Sequence, residues 1–226
     1  MSRRFLLLAT FVAVLAASAQ EATRHGVVFE KWVRDNFFDG YRPASHTQRW
    51  DIPATANQKH GGIPVTTTTV KYGAAVDLGD ALQQYEIDEP FMLVVGFWQQ
   101  AEDGEPRFVN IAAPVIPPEL WRKLWGPVTY ADLLRLDALV KDQGPSVEEL
   151  RKRALKVKNA PPFSEAVIQV NPRIDTHGQR RVLCSIRFAD FFKHLVPGAD
   201  DKPQEHPALF GVEYPNPNAS RQREGK

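Results

Sequence analysis

Two carboxylates and one amine, Glu30, Asp51 and Lys71, fall in an order that can do chemistry. Asp51 lies in the strand-like QRWDIP, Lys71 ends the β-rich GIPVTTTTVKYG, and Glu30 sits on a helix-like run before both. An acid on a short strand, then a strand closing on an x-x-Lys, with a second acid on the preceding helix, is a layout that could set a divalent cation beside an amine. Hydrolysis of a phosphodiester needs a hard cation held by oxygen ligands, which polarises the phosphate and acidifies an attacking water. An ammonium group alongside offsets the charge that builds on phosphorus.

The elements that must position these groups follow from residue periodicity. Over residues 26–38, GVVFEKWVRDNFF places Phe29, Trp32, Val33 and Phe37 on one helical face, with Glu30 on its margin and half-buried. The β-branched run PVTTTTV favours a strand, in which Val65, Thr67, Thr69 and Lys71 share one face. VDLGDALQQY reads as a short helix or turn capped by Asp77 or Asp80. FMLVVGFW, at 91–98, is a continuous apolar run suited to a central strand buried on both faces, and RFVNIAAPVI, at 107–116, pairs with it through an acidic turn.

The middle third carries helical spacing in PPELWRKLWG, YADLLRLDALVKD and SVEELRKRALKVK. EAVIQVNPRID and RRVLCSIRF then form a hairpin, followed by the short helix ADFFKHLV. The order of elements implies a mixed α/β or α+β core in one domain over residues 21–200. An irregular proline-rich tail follows over 201–226.

On these residues the chain resembles the PD-(D/E)XK restriction-endonuclease-like nuclease superfamily, over about residues 26–115. The resemblance implies a restriction-endonuclease-like core with a mixed central sheet flanked by helices. It also implies Mg²⁺ as cofactor, Asp51 and Glu30 as metal ligands, and Asp51, Lys71 and Glu30 as the catalytic set. The PRID…QRRVLCSI hairpin looks like the basic strands such enzymes carry near DNA, which makes Arg173, Arg180, Arg181 and Arg187 the implied nucleic-acid contacts. Thr69 stands where the family's second acid belongs. The competing reading is a non-catalytic exported binding or structural protein on an α/β core.

Other chemistries lack their residues. The six histidines show no zinc-ligand spacing, and no GxSxG or glycine-rich phosphate loop is present. Cys184, the single cysteine, reads as a buried core residue, so no internal disulfide forms. Trp121 and Trp125, four apart on one helix, read as core more readily than as an exposed sugar- or peptide-binding pair. The basic residues of the middle helices, Arg151 to Lys158 among them, read as solvated surface.

Residues 1–20 have the pattern of a secretory leader: Arg3 and Arg4, an apolar stretch from Phe5 to Ala17, and the small-residue site Ala17-Ser18-Ala19. The mature chain is then periplasmic or extracellular, with no membrane anchor. Its formal charge falls from +1 to −1, because the leader holds those two arginines and no acid. Any grip on nucleic acid therefore comes from a local basic face. Intact-mass measurement of the protein recovered outside the cytoplasm is expected to show a chain beginning near Gln20. Recovery with Met1 to Ala19 still attached contradicts the leader.

Overall fold

The computed structural model describes residues 26–43, 49–101, 105–175 and 179–216. The expected leader and residues 217–226 of the tail lie outside the described residues. Among the described residues, six α-helices and two main sheets form a mixed α/β arrangement. Among the described residues no helix is long and apolar enough to cross a membrane.

The apolar run at 91–98 becomes β3 (Phe91–Gln100), and its two faces organise everything else. β1 (Val65–Lys71) pairs with it in parallel, with Thr69 opposite Gly96, and β4 (Pro106–Ala112) pairs antiparallel on the other side. The short β5 (Val115–Ile116) continues that side against Phe91 and Met92. Alternation sends Met92 and Val94 into one apolar cluster and Phe91, Leu93, Val95 and Phe97 into another.

The first cluster is closed by α1 (residues 26–37), whose Phe29, Val33 and Phe37 lie on the sheet. The tail closes the rest of it. Within its largely irregular course, residues 208–213 form a small hairpin, β8 (Ala208–Leu209) with β9 (Val212–Glu213). Leu209 and Tyr214 are buried against α1 and β4. Asn216 fixes the end by exchanging hydrogen bonds with the Phe108 backbone, both at 2.8 Å. Proline and charge hid this docking, which few side chains carry: Leu209, Tyr214 and Asn216, with Phe210 stacked on His60.

The second cluster is covered by a separate three-stranded antiparallel sheet, ordered β2 (Val76–Asp80), β7 (Arg180–Ile186), β6 (Ile168–Ile174). This differs from a single central sheet. VDLGD is strand, not helix or turn; the helix begins one residue later as α2 (Ala81–Tyr85), with Asp80 accepting from the Leu82 and Gln83 amides as its N-cap. Helices α3 (Pro118–Leu124), α4 (Tyr130–Lys141) and α5 (Val147–Lys158) pack their apolar faces into the same cluster. After β7, α6 (Phe188–His194) brings Phe191 and Phe192 against Phe97. Trp121, Trp125 and Cys184 are fully enclosed here, as expected of core residues.

Gly96 marks the tightest point of the first layer. A Cβ there would lie 2.6 Å from Phe108 and 2.8 Å from Phe29, two rings that stack at 4.8 Å. Gly96→Ala is expected to cost about 1–3 kcal/mol through overpacking. Urea unfolding should show it, with Phe108→Leu in the same chain recovering part of the loss. An unchanged midpoint contradicts the packing.

Candidate functional site

The acid-bearing segment is shorter than a strand. Ile52 alone bridges β1, exchanging backbone hydrogen bonds with Val65 at 3.1 and 2.8 Å in antiparallel sense. In the parallel pairing with β3, Val65 and Thr67 direct their amides away from β3, toward the open edge. Ile52 satisfies the first of these amides. Asp51 satisfies the second: its Oδ2 accepts from the Thr67 amide at 2.6 Å, the Thr67 hydroxyl at 3.1 Å and the Thr66 hydroxyl at 3.2 Å. The carboxylate thus acts as one further rung of the ladder, where the backbone has already turned away.

Glu30 is half-buried as expected, but its side chain pairs with Arg34 one turn along α1, an ion pair whose arginine is 12% exposed. Glu30 borders a small cleft of about 190 Å³ with Gly26, Phe29 and Thr67 to Thr69. Asp51 borders a different one, of about 330 Å³, with Thr66 to Thr69, Asp77 and Leu78. The two clefts meet only along the threonines of β1. Lys71 is exposed at the end of β1 and borders neither cleft. The expected trio is therefore not assembled around one point.

Magnesium asks for near-octahedral oxygen ligands, one or two of them carboxylates. The residues present do not fit it. Asp51 Oδ2 is committed to three protein donors, Glu30 to an arginine, and Thr69 gives a neutral hydroxyl in place of an acid. Asp77 does face the Asp51 cleft, yet its Oδ1 accepts from the Gly79 amide at 2.9 Å. Among the described residues no three His, Cys, Asp or Glu side chains are grouped to hold a metal ion. Asp51 thus closes a strand edge and Glu30 pairs within its own helix.

The late hairpin forms as expected, with its arginines divided. Arg173 and Arg181 are exposed and directly opposite each other on the outer face of the three-stranded sheet. Arg180 points the other way and donates to the Asp142 carbonyl, while Arg187 pairs with Asp190 at 2.5 Å. The outer face continues into a groove of about 720 Å³ walled by α5, where Arg151 and Lys158 project. Sequence alone assigns these two to solvated surface. Their spacing of seven, which puts both on one helical face with Leu155, was the available signal. Asp77 borders both this groove and the Asp51 cleft, so the two are neighbours.

No protein family, curated protein or solved structure matches this chain.

Replacing Asp51 tests its role as an edge acceptor. Asp51→Ala leaves the Thr67 amide without its partner and is expected to cost about 1–3 kcal/mol. Asp51→Asn keeps a carbonyl oxygen in place and should recover most of that. Equal losses in the two variants, measured by urea unfolding, contradict the assignment.

Proposed function

We propose that the chain is an exported, degenerate relative of the metal-dependent nucleases, which binds nucleic acid outside the cytoplasm without hydrolysing it. The order helix, acid-bearing segment, strand ending in lysine supports the relationship, as does the antiparallel contact between the Ile52 segment and β1. The observation that carries the loss of chemistry is the 2.6 Å hydrogen bond from the Thr67 amide to Asp51 Oδ2. That bond gives the carboxylate a structural occupation. Thr69 and the Glu30–Arg34 pair remove the other anionic ligands in the same direction.

Binding without cutting leaves the electrostatic part of the interaction, which is independent of sequence and of metal. With a mature formal charge near zero, that attraction must be local. The exposed arginines of the β6–β7 hairpin and the cations of α5 supply it on one side of the molecule.

The protein is expected to shift a fluorescent single-stranded oligonucleotide at about micromolar concentration in EDTA, the ordinary range for nonspecific binding, with added Mg²⁺ weakening the complex as a competing counterion. Plasmid and oligonucleotide stay intact after prolonged incubation with Mg²⁺ or Mn²⁺. Metal-dependent cleavage that disappears in Asp51→Asn overturns the proposal in favour of an active enzyme. Absence of any binding overturns it in favour of an unrelated exported protein.

A further inference from the structure

We infer that the groove between α5 and the outer face of the β2–β7–β6 sheet is a binding site for the phosphodiester backbone of a single nucleic-acid strand. The inference rests on the proposed nucleic-acid binding and gives it a location. The groove's floor is made in rows by strand register. Asp77 lies opposite Ser185 and Leu183 opposite Asn171, and at the rim Arg173 of the lining is paired across the strands with Arg181, which lies just outside it. Its wall is the face of α5 that carries Arg151, Leu155 and Lys158.

The cations are held by neutral oxygens. Arg151 Nε donates to the Ile174 carbonyl at 2.8 Å, and Lys158 Nζ to Asn171 Oδ1 at 3.4 Å. Asn171 is itself fixed by donating to Ser185 Oγ at 2.8 Å. A neutral acceptor orients a cation without cancelling its charge. On the neighbouring helix faces Arg153, Lys141 and Arg135 each have a carboxylate partner instead. At the far end Arg173 and Arg181 are like charges in directly opposed strand positions, an arrangement that costs stability unless an anion sits between or over them. Asp77, the acid of the lining, lies at the other end and is engaged with Gly79.

Dimensions and lining select the ligand. From Arg151 to Lys158 the helix rises about 10 Å. That spans about three phosphates at the ~3.4 Å spacing of one strand in a duplex, fewer if the strand is extended. A groove of about 720 Å³ accepts a strand, whereas a duplex can only lie across its rim. Among the described residues no aromatic ring lines it, so those residues offer bases no stacking platform and make their contacts to the backbone. Beyond Lys158 the track continues into a second cleft that Lys158 shares with Arg187.

The test is fluorescence anisotropy of a labelled 15-nucleotide single strand against salt. Four phosphate contacts, from Arg151, Lys158, Arg173 and Arg181, predict a log–log slope of about −2.8, or roughly a 50-fold loss of affinity between 50 and 200 mM. Arg151→Gln with Lys158→Gln should bring the slope to about −1.4, and the exposed Arg173→Gln alone should lower it by about 0.7. Lys123→Gln, on α3 outside the groove, should leave it unchanged. Thermal melting of each variant shows that the fold persists, and Arg173→Gln keeps the test decisive should the double variant unfold. Binding by the parent chain with an unchanged slope in the folded variants overturns the groove while nucleic-acid binding stands. Tighter binding of a heparin fragment of equal charge overturns the phosphodiester ligand. No binding by the parent chain overturns both the groove and the proposed function.

Discussion

A ten-residue strand with apolar residues on both faces has to be covered twice, and that requirement shapes this molecule. One face of β3 is covered by α1 together with the returning tail, which meet over Phe108 and Gly96. The other is covered by a second sheet with helices α3 to α6 around it. Neither cover is continuous with the first sheet. Beyond Val65 the outer edge of β1 is therefore left without a neighbouring strand, although β2 runs close by. Buried or half-buried strand edges must place their amides somewhere. Asp51 is the answer at Thr67, and the threonine hydroxyls reinforce it.

The same constraint explains the groove. The second sheet uses its inner face for the core, through Val76, Val170, Val182, Cys184 and Ile186, so its outer face is free to be polar. The edge strand β6 contains Pro172, which an edge tolerates because its missing amide is not needed by a neighbour. α5 then lies along that edge with Leu150 and Ala154 buried, and the faces left over on helix and sheet converge as a trough. Positive charge at such a place is not forced by packing. Leu155, 54% exposed on the same wall, shows that packing alone leaves this surface undetermined.

Much of the architecture was legible because it rests on period and composition. Strands β1, β3 and β4, the β6–β7 hairpin and helices α3 to α6 all follow from alternation or helical spacing. VDLGD failed to declare itself as a strand because Gly79 at φ +88° sits at a bulge in its pairing with β7, which breaks the alternation that would have identified it. WDIP failed in the other direction: its β-like composition produces a single bridge, since Pro53 has no amide to offer and a 3-10 turn starts at Ala54. The tail was obscured because few side chains, the buried Leu209 and Tyr214 among them, carry its docking within a stretch otherwise rich in proline and charge.

The site was less legible for a reason that lies in the chemistry of carboxylates. An aspartate beside a strand edge is an acceptor of backbone amides, a ligand for a hard cation, or both in turn, and the residue type is identical in each case. What separates these roles is the number of donors already aimed at its oxygens, which depends on strand pairing and not on local sequence. Here the threonine-rich strand supplies both an outward amide and two hydroxyls to the same oxygen, so TTTT at 66–69 is as informative about Asp51 as the acid itself. Four hydroxyl-bearing residues in a row are poor core material for a central strand. On an edge strand next to an acid, two of them, Thr66 and Thr67, supply a neutral donor set to the carboxylate.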